Sequence, residues 1–510
     1  MRQMPAPAPS GLLDLAGGGR GTRWGRALET SALLFAAAAA ALVVVQSVAA
    51  QGNSRDWGWA GMVLLAAALA AAVLFGAARL PGSHRTLLAA AMALSLVLRL
   101  GYLLAVETPL NSDFELLHRA AVMLSQGDLT WTEYQYFRNW GYQIPFVAYQ
   151  ALVLRIFSSD WALKLINLAA MLGTNFLLYQ LGRLFLSGKA AAAAALLYAV
   201  YPGAIHMAPV LTNQHLSLCF LLLGLWLLLS RRGWRWMLLA GACLAVGNLF
   251  RPEGVVTLAA VAAAGVVLLA RWPDRRRAAG LVLGLAVTLA AYFGVQAGTG
   301  AALQAAGIAP HGIGNNVPEW KFVVGLDAAN EYGDYTEAHA DILDIQDGGA
   351  RRAETWRIIR QSFRERDDIL DFFLGKTQAM WAWDEPFSWS SGYLEQGVEL
   401  LPGVTVGTAL EWMGMAERGL ALLVWGCLAG TAVLLFRYPE RRERGAALVC
   451  LLAVCAFFCV YLLIEVQPRY RYSVMPYLFI LAGVPVQWLL SRNKRPAPPA
   501  AGEKQNDQMR

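Results

Sequence analysis

Apolar stretches about twenty residues long recur along this chain, and nothing else in it constrains the fold as tightly. TLLAAAMALSLVLRLGYLLAV (86–106) is one of them. A helix needs roughly 20 apolar residues to cross the ~30 Å hydrocarbon core of a bilayer. The runs are continuous and rich in Ala and Leu rather than alternating, so they read as helices and not as barrel strands. With 57% hydrophobic and 15% charged residues, the chain reads as an all-α polytopic membrane protein. About twelve transmembrane helices are expected, near 28–50, 58–79, 86–106, 161–183, 189–205, 209–230, 236–250, 254–271, 278–298, 408–436, 445–464 and 474–491.

The placement of charge sets the orientation. More than half of the 42 Lys and Arg residues fall in the two tails and in alternate short connections, which places those segments and both termini in the cytoplasm. The formal charge of +7 is therefore a topology signal, and no nucleic-acid partner is expected. The stretch 141–157 is apolar but short. Counting it as a span would invert every later loop and put the Arg-rich connections outside, so it reads as a re-entrant or juxtamembrane helix. The domains follow: a cytoplasmic disordered tail 1–27, an N-terminal transmembrane module 28–298 with a large outer loop 107–160, an extracytoplasmic loop domain 299–407, a C-terminal transmembrane module 408–491 and a cytoplasmic disordered tail 492–510. The six cysteines all lie in apolar runs with no CxxC pair, and read as small buried residues.

In this topology the unusual polar residues collect on one face. Asp113 and Glu115 open the first large outer loop; His206, Asn213 and His215 follow Tyr201-Pro202; Arg251 and Glu253 sit in NLFRPEG; Glu465, Gln467, Arg469 and Arg471 sit in EVQPRYRY. Ionisable residues at membrane depth usually face a cavity or a partner. A carboxylate with several arginines at the water–lipid boundary suits a lipid-linked phosphate, with Arg251, Arg469, Arg471 and Lys321 as its ligands. Asp113 could then take a proton from an acceptor hydroxyl, and His206, Asn213, His215 and Trp320 could line the sugar or acceptor. Each has a plainer reading: NSD as a helix cap for Asp113, a first-turn carboxylate for Glu115, span-end snorkelling for Arg469 and Arg471, pairing with Glu253 or Asp113 for Arg251, and local hydrogen bonding for the histidines. Asp113 with Glu115 could also hold a divalent ion, although no metal motif is present and no cofactor is certain. No nucleotide-binding glycine loop appears, so a sugar nucleotide is not the expected donor.

These residues resemble a known family. An acidic residue after an early span, juxtamembrane helices, a Tyr-Pro turn and a terminal E-x-Q-x-R-Y resemble the GT-C membrane glycosyltransferases, nearest to bacterial relatives of the family 39 protein mannosyltransferases and aminoarabinose transferases. WKFVVGLDAANEYGDY (320–335) is similar to an outer-loop motif of Gram-positive members. The resemblance implies a GT-C-like bundle in the cytoplasmic membrane, with juxtamembrane helices, a small outer-face loop domain and an active site on the outer face. It implies a polyprenyl-phosphate-sugar donor, a lipid, glycan, wall-polymer or protein acceptor, and Asp113 as general base. Two features depart from the protein mannosyltransferases: Phe114 separates Asp113 from Glu115, and the outer loop has no β-trefoil-like module. The competing reading is a transporter or flippase of lipid-linked saccharides. That class often carries paired repeats and midplane charges, and neither is evident here.

Overall fold

The structure, a computed structural model, describes residues 21–52, 57–328, 330–383, 387–438 and 444–492. Most of both expected tails, 1–20 and 493–510, lies outside the described residues. A helix stands at each of the twelve expected positions, and eight are long and apolar enough to cross a membrane: Arg23–Ala50, Gly58–Arg79, His84–Ala105, Asp160–Gly182, Gly254–Arg271, Arg275–Ala305, Val406–Arg437 and Gly445–Leu463. Gly188–Ala199, Gln214–Ser230 and Trp234–Phe250 are shorter, and Met475–Arg492 carries Pro485 in its interior. The only strands among the described residues form a small hairpin, Glu399–Leu401 with Val404–Thr405.

Two expected spans differ in detail. The run 189–205 is broken: one helix ends at Ala199 and a five-residue helix starts at Pro202. Proline lacks the N–H that would continue the ladder and disfavours helical backbone at the residue before it. The stranded carbonyls are met by Arg99, which is fully buried and donates to Ala199 O at 2.9 Å, Tyr198 O at 3.3 Å and Ser95 Oγ at 2.8 Å. A cation there also complements the negative end of the helix dipole. The run 209–230 becomes helical only at Gln214, after a turn in which Thr212 Oγ1 accepts from Gln214 N.

The stretch 141–157 forms one helix, Ile144–Phe157. Its 14 residues rise roughly 21 Å at ~1.5 Å each, less than a bilayer core needs. It packs on the Ser112–Ser125 helix through Leu117, Ala121, Phe146, Val147 and Ala151.

The long helices run between two ends, each tied by polar contacts. At one end Lys189 Nζ donates to Leu80 O at 2.7 Å, Arg183 meets His84 at 3.0 Å, and Arg271 pairs with Glu29. At the other end Arg251 pairs with Glu253, and Asp113 faces Arg469. The His84–Ala105 helix leads from the first end to the second, and Gly254–Arg271 leads back. Over the second end sits the expected outer loop, 299–407, whose helices Trp320–Leu326, Gly348–Glu365 and Ile369–Thr377 share a core of Val317, Trp320, Val323, Ile342, Ile358 and Phe372.

Candidate active site

Asp113 lies in the first turn of the Ser112–Ser125 helix. The capping position is Asn111, which makes no side-chain cap bond, and Ser112 takes a left-handed φ of 51°. A non-glycine residue in that region is costly and marks an over-determined turn. The Asp113 carboxylate is thus not spent on capping. Its Oδ2 lies 3.8 Å from Arg469 Nη2; the aspartate side chain is 43% exposed and the arginine side chain 6%.

Arg469 is held from several sides. Its Nε donates to Gln467 Oε1 at 2.6 Å, and Gln214 Nε2 donates to its carbonyl at 2.8 Å. The guanidinium carbon sits 4.2 Å from the ring centre of Trp389 and 5.0 Å from that of Phe114, and the two rings meet edge to face. Planar guanidinium suits both such stacking and the oxygens of a phosphate.

Beside it, Tyr470 gathers the other charges. Its hydroxyl donates to Glu465, and Lys321 Nζ approaches that hydroxyl at 2.8 Å and Glu465 Oε1 at 2.5 Å. The cations of Lys321 and Arg251 each lie 4.9 Å from the Tyr470 ring centre, while Arg251 Nε donates to Glu253 Oε1 at 2.5 Å. Burial disfavours the Lys321 charge, but Tyr470 and Glu465 outweigh it and hold its pKa above the usual lysine value. Burial likewise opposes the Glu465 charge, and Lys321 overcomes it, keeping that carboxyl below its usual range. Burial raises the Tyr142 phenol pKa, with Lys321 and Arg251 pulling the other way and Asp113 also within electrostatic reach.

The register of this cluster follows from a glycine. Lys321 and Gly325 are four apart on the Trp320–Leu326 helix and so share a face. A Cβ at Gly325 would lie 2.2 Å from Ile464 C and 2.6 Å from Glu465 N. Its absence lets the 464–466 segment lie against the helix, with Glu465 N donating to Lys321 O at 3.1 Å. Buried Lys376 stitches the same junction, donating to Gly325 O and to Ile464 O at 2.8 Å.

The structure therefore brings Asp113, Arg251, Arg469 and Lys321 together. Other residues named from the sequence go elsewhere. Glu115 pairs with Arg119 at 2.7 Å on the exposed face of its helix. Arg471 is buried against Glu417 at 3.1 Å, and its guanidinium donates to the carbonyls of Trp383 and Met380. His206 is buried with Nδ1 3.4 Å from Ser390 Oγ; burial, with Arg471 and His215, lowers its pKa to about 3. Asn213 donates to Gln143 Oε1 at 3.1 Å and Phe250 O at 2.9 Å. His215 bridges Tyr472 OH at 2.8 Å and Met207 O at 3.0 Å. Trp320 is buried in the core of the outer loop. Among the described residues no three His, Cys, Asp or Glu side chains are grouped to hold a metal. Tyr470 and Lys376 were not singled out from the sequence, although Tyr470 stands within E-x-Q-x-R-Y; Trp389 closes WAWDEPFSW (381–389), an aromatic cluster that reads from sequence as a sugar-stacking surface or an interfacial belt.

The helices define an all-α polytopic membrane protein. Residues 143–295 match the profile of the family described as dolichyl-phosphate-mannose-protein mannosyltransferase; Asp113 and Arg469 lie outside that stretch. No curated protein sequence matches the chain significantly. Among solved structures it is similar to the archaeal oligosaccharyltransferase AglB from Archaeoglobus fulgidus in complex with an inhibitory peptide and a dolichol-phosphate, at 13% identity and a TM-score of 0.45, over 82% of this chain and 52% of that one. The apo form of the Archaeoglobus fulgidus oligosaccharyltransferase gives 12% identity and a TM-score of 0.40, over 78% and 50% of the two chains. The chain thus spans about half the length of these structures.

Proposed function

We propose that this protein is a membrane glycosyltransferase that moves a sugar from a polyprenyl-phosphate-linked donor to an acceptor at the outer face of the cytoplasmic membrane. The observation that carries the reading is the apposition of Asp113 with Arg469, 356 residues further along the chain, beside Arg251 and Lys321. One solvent-accessible carboxylate faces a set of fixed cations at one end of a helical bundle. The basic connections gather at the opposite end, which supports the exterior as the side of the site. The family profile matched by 143–295 is named for a lipid-phosphate-linked sugar donor, and the cluster suits such a headgroup.

In this reading the donor phosphate displaces the Asp113–Arg469 contact and binds Arg469, with Arg251 and Lys321 adding positive potential. The freed Asp113 carboxylate takes the proton of an acceptor hydroxyl. The acceptor oxygen bonds to the anomeric carbon as its bond to the phosphate oxygen breaks, and the electron pair leaves on the phosphate. Fixed guanidinium groups stabilise that developing charge without reorganising. Direct displacement with one base inverts the anomeric centre.

The test uses purified protein with a polyprenyl-phosphate sugar and an acceptor alcohol, following release of polyprenyl phosphate. Turnover by the wild type with loss of ~10²–10⁴-fold in Asp113→Asn is expected, since general-base help is of that size, with donor binding retained. Undiminished turnover in that variant removes Asp113 from the mechanism.

A further inference from the structure

A second polar site lies on the far side of a short helix from Asp113. The Gln135–Asn139 helix presents Tyr136 within electrostatic reach of Asp113. Its Gln135, Arg138 and Asn139 line a separate cleft of about 570 Å³, closed by the 311–316 loop and by Asp344 and Arg351 of the outer loop. That volume falls in the ~300–1,000 Å³ range of small-molecule sites.

The walls are tied together before any ligand arrives. Gln135 Nε2 donates to Asp344 Oδ1 at 2.9 Å, and Asn316 Nδ2 donates to Arg138 O at 2.7 Å. Asn316 N donates to Asn139 O at 2.9 Å, and Arg351 donates to Asn316 O and to Ile345 O. Arg351 Nε and Asn139 Nδ2, behind the lining, are shielded from solvent and hydrogen-bond to nothing among the described residues. The charges balance, Arg138 and Arg351 against Glu133 and Asp344, which disfavours a phosphate. The lining holds both donors and acceptors, which suits hydroxyl groups that do both.

We propose that this cleft is a saccharide subsite that holds an uncharged stretch of the acceptor, while its reacting hydroxyl reaches past the Gln135–Asn139 helix towards Asp113. The acceptor role rests on the transferase reading; the sugar site itself does not. Saturation-transfer NMR on the full chain in nanodiscs tests it, with maltotriose and triacetylchitotriose as neutral probes and inorganic phosphate as the charged one. At least one trisaccharide receives saturation from the wild type. Gln346→Trp, an exposed position whose indole fills the cleft, weakens that binding at least ~10-fold, as does loss of ~1.4 kcal/mol of contacts. Asn139→Ala, which adds no bulk, weakens it in the same direction. No trisaccharide binding to the wild type, equal binding by both variants, or phosphate binding in place of sugar overturns the proposal. Polyprenyl-phosphate release by the wild type with a saccharide acceptor present, measured in parallel, tests the transferase reading separately: if none is released that reading fails, while the sugar binding still decides the subsite.

Discussion

Lys321 and Glu465 are 144 residues apart in the chain and meet at 2.5 Å, fastening the outer loop to the segment that carries Arg469. The carboxyl is buried, and the lysine side chain is about one-third exposed. The pair orders the cluster around Tyr470.

Its pH dependence has a definite sign. The folded-state pKa of Glu465 is below its ordinary value of 4.5. The pair therefore contributes stability above about pH 4.5, and loses it as pH falls through the lower folded value. Melting temperatures of wild type and Glu465→Gln should differ between pH 5 and 7 and converge on further acidification. A gap that widens in acid contradicts this.

Arg469 and Arg471 should separate cleanly. Arg469→Ala is expected to weaken donor binding by ~10–100-fold, the worth of charged hydrogen bonds at ~1.5–3 kcal/mol, with a smaller drop in melting temperature than Arg471→Met, from its lost stacking on Trp389 and Phe114. Arg471→Met leaves Glu417 buried without its cation, which costs ~3–5 kcal/mol of stability. Its folded fraction should bind donor normally. Donor titration alongside thermal unfolding reads both, and a reversed pattern would exchange their roles.

Gly325→Ala places a methyl where Ile464 and Glu465 already lie. Overpacking of this kind costs ~1–3 kcal/mol. The expected outcome is a lower melting temperature with a loss of turnover as large as that of Lys321→Met, because the added carbon prises the 464–466 segment off its helix. Wild-type behaviour in both measurements would show that the close approach is dispensable.

Lys376 gives a slope of the same sign in the alkaline range. Burial lowers its pKa from 10.5 to about 7, against the pull of Asp334 and Glu465. Between those values the unfolded chain binds the extra proton, so stability should rise with pH from about 7 to 10.5. Chemical denaturation across that window should show the rise in wild type and a flatter profile in Lys376→Met.

Much of the fold was legible because a bilayer demands long apolar helices, and the chain supplies them as unbroken runs. The breaks were harder to read: Ala199 ends a helix because Pro202 follows and because Arg99, a hundred residues earlier, can cap it. At the site, Asp113, Arg251 and Arg469 were legible because each lies beside a span end on one face. Three pairings misled, all for reasons of helical geometry. Arg469 and Arg471 flank Tyr470 on a 3₁₀ turn, Pro468–Ser473; with about three residues per turn, positions two apart diverge. Asp113 and Glu115 diverge likewise on an α-helix. Adjacent Trp320 and Lys321 point into the outer-loop core and into the charge cluster. The Arg471–Glu417 pair joins helical regions whose meeting no local pattern announces.

The Arg99 cap has a consequence for biogenesis. Residue 99 emerges from the ribosome a hundred positions ahead of Ala199, whose carbonyl it receives. When the half-length helix enters the lipid, its exposed end finds a guanidinium already waiting in a neighbour synthesised earlier. Insertion in the order of translation thus never strands those carbonyls in hydrocarbon, whereas a chain rearranged so that 188–199 came first would have to hold them bare.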